Sequence, residues 1–269
     1  MNIDFLWGLL AEDVGYGDIT TSLLPDRTVR ARIFAKEDLV VAGVGAVSEL
    51  LLDNGIGISV SRDDGEKVAA GEDIMLLEGS VRTILTLERT VLNILQRMSG
   101  IATTTSRCVE IAGPGVRVAA TRKTILPYLD KMAVQAGGGD PHRWRLDDMF
   151  LIKDNHIKVL GIGEAVKRAR ASLFSKKIEV EAETLEEALE AADAGADIIM
   201  LDNMSPERIV EVIAAIRKKV RDAPLFEASG NITPENIREY ANSGVDIISM
   251  GWLTHSVRAS DISLEVCGD

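Results

Sequence analysis

The chain has 269 residues, of which 46% are hydrophobic and 27% charged, a composition typical of a globular protein long enough to bury a core. Its formal net charge of −12 argues against a general nucleic-acid binder, which needs a broad basic surface. The two cysteines form no CxxC pair, so no disulfide framework is indicated. The N-terminus does not resemble a signal peptide, and no apolar run approaches the ~18 residues of a membrane span, so we expect a cytoplasmic protein.

Residues 1–100 carry a mixture of helix and strand signals. A short helix is predicted over residues 4–10, and a glycine-interrupted turn follows in EDVGYGDIT. VRARIFAKEDLVVAG alternates apolar and polar residues as a strand does, and two more strands are predicted around the Gly-rich turn of GISVSRDDGEKVAAGEDIMLLEG. Apolar residues spaced by three and four then predict a long helix over about residues 81–98.

Residues 101–255 repeat one pattern, in which a short apolar strand ends in polar residues and a helix follows. Two helices are predicted to begin at Ser205-Pro206-Glu207 and Thr233-Pro234-Glu235, each an N-cap, a proline and an early acid. Strands that alternate with helices pair in parallel through right-handed crossovers, and this number of units favours a β/α barrel over an open sheet. The predicted strands are VRVAATRK, FLIKDNH, KIEVEAE, ADIIMLDN, LFEASGN and VDIISMGW.

Cationic residues follow several of these strands. Because the site of a β/α barrel lies at the carboxyl ends of its strands, we expect them to share one mouth. Arginine binds a carboxylate or phosphate with a planar fork and lysine acts as a point charge, so the group indicates a ligand with more than one negative charge. The alternative is a set of surface ion pairs with Asp130, Asp140, Asp147 and Asp148. The cationic candidates are Arg122, Lys123, His142, Arg143 and Lys153.

Two carboxylates, Glu181 and Asp202, end consecutive strands beside the cations. Carboxylates there can hold Mg²⁺ or sugar hydroxyls, or stabilise positive charge that develops on a ribose carbon. Alternation puts Glu179 and Glu183 on the same side as Glu181, so the pattern leaves open which of the three faces the ligand. The alternative is a pair of helix-start carboxylates favoured by the helix dipole.

Ser229-Gly230 and Gly251 end the last two strands. Glycine lets backbone N–H groups approach an anion closely, and the loops after the last strands of such barrels often bind phosphate. All three histidines, His142, His156 and His255, lie in the same segments. The residues together predict a site that binds a polyanion, a phosphorylated sugar and Mg²⁺. These ligands indicate phosphoribosyl transfer or isomerisation of a sugar phosphate.

Several longer motifs, spread over nearly the whole chain, resemble those of the quinolinate phosphoribosyltransferase family. They are EDVGYGDIT, LERTVLNILQRMSGIAT, ATRKT, GGGDPHR, LIKDNH, LDN and EASGNI. The resemblance implies an α/β protein of the type II phosphoribosyltransferase kind, with an N-terminal α/β sandwich domain and a C-terminal incomplete β/α barrel of fewer than eight strands. We expect these domains at residues 1–100 and 101–255, with the tail of about residues 256–269 returning to the first.

The resemblance also implies a reaction. Quinolinate and phosphoribosyl pyrophosphate would give nicotinate mononucleotide, pyrophosphate and carbon dioxide, with Mg²⁺ as cofactor, in de novo NAD biosynthesis. It implies a homodimer, with a higher oligomer left open, in which Arg89 of the ERT motif completes the neighbour's site. No nucleic-acid or membrane partner is expected.

Residue roles carry over by motif position. Lys153 would lie between the two substrates, and the expected catalytic residues are Lys153, Glu181 and Asp202, of which the two acids would lie near the ribose and its Mg²⁺. The residues assigned to the carboxylates of quinolinate, besides Lys153, are Arg89, Arg122, Lys123, His142 and Arg143. The residues assigned to the phosphoribosyl group, besides the two acids, are Ser229, Gly230, Gly251 and His255.

One segment departs from the family pattern. After TRKT the family usually reads TPGLR, with a longer stretch before the lysine that matches Lys131. This chain reads ILPYLDK, about two residues shorter, and lacks the usual glycine and the arginine after it. We expect a shortened helix start without effect on the site, and the alternative is a reshaped pocket with a changed substrate choice.

Two other functions are compatible with this scaffold. One is a related phosphoribosyltransferase-like paralogue of the type associated with molybdenum transport, against which LIKDNH argues because that branch diverges in this segment. The other is a non-catalytic binding or carrier protein, which we would expect to have lost some of Lys153, Glu181 and Asp202.

Overall fold

The computed structural model describes residues 3–267, which divide into two compact units. The first unit comprises the chain up to Ser106, Met132–Gly138 and the chain from Val257 onward. The second comprises Arg107–Lys131 and Gly139–Ser256. Across the described residues, none of the helices combines the length and the apolar character that crossing a bilayer requires.

Helices and strands follow one another through both units. In chain order they are α1 (Ile3–Val14), a short 3-10 helix (Thr21–Leu23), β1 (Thr28–Ala35), β2 (Leu39–Val40), α2 (Val44–Asp53), β3 (Gly57–Ser61), β4 (Lys67–Val68), β5 (Asp73–Ser80), α3 (Val81–Ala112), β6 (Arg117–Ala120), α4 (Pro127–Ala136), β7 (Phe150–Ile152), α5 (Asp154–Leu160), α6 (Ile162–Ser172), β8 (Ile178–Ala182), α7 (Leu185–Ala194), β9 (Ile198–Asp202), α8 (Pro206–Lys219), β10 (Leu225–Ser229), α9 (Ile237–Ala241), β11 (Ile247–Met250), α10 (Trp252–His255) and β12 (Ile262–Val266).

The first unit contains an antiparallel sheet in the order β12-β1-β5-β3 and a small β2-β4 pair. Burial alternates along β1, with Ala31 and Ile33 inside and Arg30 exposed, as expected for a sheet with one covered face. α2 contacts both β3 and α1, which adds a helical layer to the sheet. This is the α/β sandwich that the family resemblance implied.

Helix α3 begins at Val81, as its spacing predicts, but it continues to Ala112, so the predicted end near residue 98 was wrong. No proline interrupts the helix before Gly113-Pro114, where Gly113 caps it with a positive φ of 78°. Gly100 lies inside the helix, where a Cβ would stand 2.1 Å from the carbonyl oxygen of Arg258. The glycine therefore permits close backbone packing rather than ending the helix.

The second unit contains six parallel strands in the order β6-β11-β10-β9-β8-β7, which confirms the six predicted strands. Asp140 pairs in parallel beside β6 through a bridge with Ala119. Ala119, Ile198 and Ile247 pack together with Met149, so side chains from distant strands meet on one face of the sheet. The sheet is thus the expected incomplete barrel, with fewer than eight strands.

Local signals account for most of the helix starts. Ser205 caps α8 by accepting the N–H of Arg208, and Pro206 occupies the first turn. The second predicted start differs, because α9 begins at Ile237 rather than at Pro234. Asn236 Oδ1 accepts the N–H of Thr233 at 2.8 Å, and this side-chain bond stabilises a tight turn before the helix.

Candidate functional site

A cavity of about 430 Å³ opens at the carboxyl ends of the parallel strands, within the size range of small-molecule sites. Strand ends and the two loops after β6 and α4 supply its walls. The lining residues are Ala120, Thr121, Arg122, Lys123, Lys131, His142, Arg143, Leu151, Lys153, Glu181, Met200, Asp202, Glu227, Ser229 and Ser249.

Most of the residues predicted for the site line this cavity. Those that do are Arg122, Lys123, His142, Arg143, Lys153, Glu181, Asp202 and Ser229. Gly230 follows β10, and Gly251 and His255 follow β11, so all three occupy the same ends of the strands. Arg89 is an exposed residue of α3 in the first unit.

The TRK segment directly follows β6. Lys123 donates its N–H to Thr121 Oγ1 at 3.2 Å, and its carbonyl accepts the hydroxyl of Thr254 at 3.0 Å. Burial and the positive charge of Arg122 lower the pKa of Arg143, so the two arginines are close enough to influence each other. The cations therefore form one group, which a ligand with several negative charges would stabilise.

Three of the four aspartates that were the alternative partners for these cations have other contacts. Asp140 accepts the backbone N–H of His142 at 2.7 Å and pairs with Arg117 at 3.6 Å. Asp148 accepts the N–H of Trp144 at 2.6 Å, and Asp130 accepts the hydroxyl of Thr124. Asp140 and Asp148 therefore accept backbone N–H groups, contacts that the surface ion-pair interpretation did not include.

His142 has a positive φ of 53°, a conformation that non-glycine residues rarely adopt. Its Nδ1 accepts the N–H of Arg143 at 2.9 Å, while Nε2 lies 3.1 Å from Glu227 Oε2 and 3.3 Å from Glu179 Oε2. Because Nδ1 is an acceptor, the hydrogen-bond network assigns the ring proton to Nε2. Burial acts to lower the pKa of His142, but the hydrogen bonds to Glu179 and Glu227 outweigh it and raise that pKa.

Glu179 and Glu227 form a buried layer beneath the cavity entrance. Each is fully buried, and each lies two residues before a residue nearer the strand end, Glu181 in β8 and Ser229 in β10. Burial and the charge of Glu227 raise the pKa of Glu179. Glu179 therefore contacts the histidine, while Glu181 lines the cavity.

Glu181, Glu183 and Asp202 each offer one carboxylate oxygen, and these oxygens lie within 4.8 Å of one another. Lys153 Nζ forms an ion pair with Glu181. Burial and the charge of Glu181 raise the pKa of Asp202, as expected where carboxylates crowd together. Three hard oxygen donors are the ligand chemistry that Mg²⁺ prefers, so this group fits the ion.

Two glycines allow the neighbouring loops to approach closely. A Cβ on Gly230, which has a φ of 96°, would stand 2.2 Å from Asn203 Oδ1. A Cβ on Gly251 would stand 3.0 Å from the ring of His255 and 3.1 Å from Lys123 Cδ. Neither position accepts a larger residue without movement of its neighbours.

Two charged lining residues, Lys131 and Glu227, were missed in the sequence. Glu227 precedes Ser229 by two residues, so strand alternation could have placed it on the inner face. Lys131 lies in a helix after the TRKT motif, and no periodicity distinguishes it from a surface lysine. Its side chain is fully buried, and burial, followed by the charge of Arg122, lowers the pKa of Lys131 to about 8.

Comparisons with known proteins agree with this fold. The family models described as the C-terminal and N-terminal domains of quinolinate phosphoribosyl transferase match residues 101–265 and 18–99. The chain is 46% identical to a probable carboxylating nicotinate-nucleotide pyrophosphorylase of Methanothermobacter thermautotrophicus, over 99% of both chains. It is 41% identical to the Bacillus subtilis protein of the same description, over 95% of this chain and 90% of that relative. The structure of the nicotinate-nucleotide pyrophosphorylase from Francisella tularensis matches with a TM-score of 0.93 and 38% identity, over 98% of this chain and 95% of that one. The chain therefore belongs to the quinolinate phosphoribosyl transferase family.

Proposed function

We propose that this chain transfers the phosphoribosyl group of phosphoribosyl pyrophosphate to the ring nitrogen of quinolinate, with loss of carbon dioxide. The products are nicotinate mononucleotide, pyrophosphate and carbon dioxide, and the enzyme acts in NAD biosynthesis. One observation carries the proposal, namely that Arg122, Lys123 and Arg143 share a single cavity with Glu181 and Asp202. A dicarboxylate and a phosphorylated sugar each find complementary groups there.

Quinolinate binds through the cationic side of the cavity. Arg122 and Arg143 offer planar forks to its two carboxylates, and Lys123 adds a point charge. Arg89 of a second copy of the chain completes this clamp in a homodimer, a role that its exposure on α3 permits. This clamp holds the pyridine nitrogen in line with the ribose C1. Such positioning of the reacting atoms supplies much of the rate acceleration in sites of this kind.

The acidic side of the cavity acts on the ribose. When pyrophosphate departs, positive charge develops at C1, and the carboxylates of Glu181 and Asp202 stabilise it by fixed electrostatics. Glu181, Asp202 and Glu183 would hold Mg²⁺, which would supply neutralisation of the charge on the departing pyrophosphate. Lys153, paired with Glu181, orients that carboxylate and lies between the two substrates.

The 5′-phosphate binds at the ends of β10 and β11. In this proposal Ser229 offers a hydroxyl, and Gly230 and Gly251 offer backbone N–H groups. His255 lies against Gly251, with its Nδ1 2.8 Å from Ser256 Oγ. Loss of the 2-carboxylate as carbon dioxide leaves an electron pair at ring C2, which the neighbouring cations stabilise until this carbon takes up a proton from solvent. The reaction requires no covalent enzyme intermediate.

A cytoplasmic location is part of the proposal. It is supported by the cysteines, since Cys108 is free and buried and Cys267 is free and exposed. Unpaired thiols are typical of proteins in reducing compartments.

An initial-rate assay tests the proposed function. The enzyme is incubated with phosphoribosyl pyrophosphate, Mg²⁺ and either quinolinate or nicotinate, and nicotinate mononucleotide is quantified. We expect product from quinolinate and little from nicotinate, because the clamp is built for two carboxylates. Absence of product from quinolinate, as expected of a binding protein or a paralogue with another substrate, would contradict the proposal.

A further inference from the structure

Two consecutive charged residues, Asp130 and Lys131, are fully buried in α4. Charged side chains are almost never buried completely unless they have partners. Asp130 accepts the hydroxyl of Thr124, at the end of the TRKT segment. Lys131 Nζ donates to the carbonyl oxygens of Pro141 and Arg143, the latter at 2.5 Å. One turn of helix thus bonds to both cationic segments of the cavity.

We propose that Lys131 is a positioning residue which, together with Asp130, sets the spacing between the TRK segment and the His142–Arg143 segment and so fits the cavity to two adjacent carboxylates. This inference rests on the proposed function. Neither residue was assigned a role by the motifs, and the ammonium of Lys131 is hydrogen-bonded within the protein.

The contacts of Lys131 explain how a single ammonium can fix the position of the His142–Arg143 segment. The carbonyls of Pro141 and Arg143 flank His142, and both converge on Nζ. Two carbonyl oxygens that face one another repel unless a donor lies between them. The ammonium, together with the bond from the His142 N–H to Asp140, therefore holds His142 at its positive φ and directs the chain at Arg143.

The first turn of α4 makes a further contact with the same loop. The ring of Tyr128 lies 5.7 Å from that of Trp144, which directly follows Arg143. Leu126 donates its N–H to Thr124 Oγ1 at 2.9 Å, so the Thr124 hydroxyl links the start of the helix to Asp130. This turn is the segment ILPYLDK that departs from the family pattern, so the departure lies within the contacts that hold the clamp together.

The groups proposed for the phosphoribosyl side are carried by other elements. Glu181, Asp202 and Ser229 end β8, β9 and β10, whereas the bond from Thr124 to Asp130 and the two bonds from Lys131 involve the loops after β6 and α4. Loss of the α4 contacts should therefore weaken quinolinate binding while leaving phosphoribosyl pyrophosphate binding unchanged. A residue with a merely structural role would affect both substrates together.

Steady-state kinetics on Lys131→Met, with Lys218→Met as a matched exposed control, test this inference. We expect the KM for quinolinate to rise by about tenfold or more in Lys131→Met, and the KM for phosphoribosyl pyrophosphate to stay within about twofold. Lys218→Met should match the wild type in both constants. Melting temperatures establish that the variants are folded.

Thr124→Val provides a second variant at a half-buried position, and it removes both bonds of the Thr124 hydroxyl, the one to Asp130 and the one from the Leu126 N–H, while Lys131 stays in place. We expect a smaller rise in the same KM, and this variant decides the question if Lys131→Met does not fold. A folded Lys131→Met or Thr124→Val enzyme with an unchanged KM for quinolinate, or with both KM values raised in parallel, would overturn the inference. A wild-type enzyme that does not convert quinolinate would instead overturn the proposed function, and this inference with it.

Discussion

The cavity has two layers whose residues share a strand face but not an environment. Near the strand ends, Glu181 pairs with Lys153, whose side chain is 43% exposed. Two residues deeper in β8, Glu179 is fully buried beside His142. The same residue type therefore lines the cavity in one layer and contacts another side chain in the next. If the proposed function is right, depth along the strand, rather than chemical identity, separates the groups that act on substrate from those that hold the site in shape.

The largest effect should come from the outer layer. In Glu181→Gln the carboxylate that stabilises charge at the ribose is lost, so we expect kcat to fall by about 100-fold or more. Single-turnover kinetics would measure the chemical step directly. Glu186→Gln, an exposed position in α7, is the matched control and should be unaffected. A fall in kcat of less than about threefold would show that Glu181 is not part of the chemistry.

Arg89 tests whether the outer layer is completed by a second copy of the chain. Arg89→Ala and Lys153→Ala should each be nearly inactive, because each removes a cation from the proposed clamp. When the two are mixed and allowed to exchange subunits, one site of every hybrid dimer is intact, so about a quarter of the wild-type activity should return. If Arg89 acts within its own subunit, no activity will return on mixing.

A smaller effect is expected in the buried layer. Glu227→Gln keeps the shape of the side chain but removes the carboxylate that holds His142 Nε2. We expect the KM for quinolinate to rise by about tenfold, with a change in kcat well below that of Glu181→Gln. Stability should fall by no more than about 1 kcal/mol in urea unfolding, because loss of this charge also relieves repulsion with Glu179. If kcat fell in Glu227→Gln as much as in Glu181→Gln, the proposed difference in role between the outer and the buried layer would be wrong.

The smallest effect concerns pH. The pKa of Lys131 is lowered from 10.5 to about 8, so above pH 8 the folded protein releases a proton that the unfolded chain retains until about pH 10.5. Deprotonation thus favours the folded state, and the contribution of this group to stability rises between these pH values. The neutral amine keeps two N–H groups for its two carbonyl acceptors. The melting temperature of the wild type should therefore rise relative to that of Lys131→Met as the pH goes from 8 to 10, and a fall would contradict this account.

The sequence predicted the outer layer well because its residues follow strands that are easy to recognise. Arg122, Lys153, Glu181 and Asp202 each come at or just after an apolar run, and parallel strands bring such positions to one edge. The family resemblance then named the family and the fold, and the comparisons confirmed both.

The buried layer was less predictable for physical reasons. The sequence did not distinguish Glu179 from Glu181 and Glu183, because strand alternation predicts the face on which a side chain lies but not its depth along the strand. Lys131 has the residue type and helical setting of an ordinary surface lysine, and only its tertiary contacts show that it is buried. The end of α3 was predicted too early because Gly100, a residue that usually weakens a helix, lies just after the predicted end. Here Gly100 permits close packing, and the sequence from there to residue 112 contains no other strong helix breaker.

The most direct test of the function uses quinolinate labelled with carbon-13 in the 2-carboxylate. Mass spectrometry of the headspace and of the nucleotide would follow the label during turnover with phosphoribosyl pyrophosphate and Mg²⁺. We predict that labelled carbon dioxide, unlabelled nicotinate mononucleotide and pyrophosphate appear in equal amounts. A nucleotide that retains the label, or carbon dioxide released without a nucleotide product, would contradict the assignment.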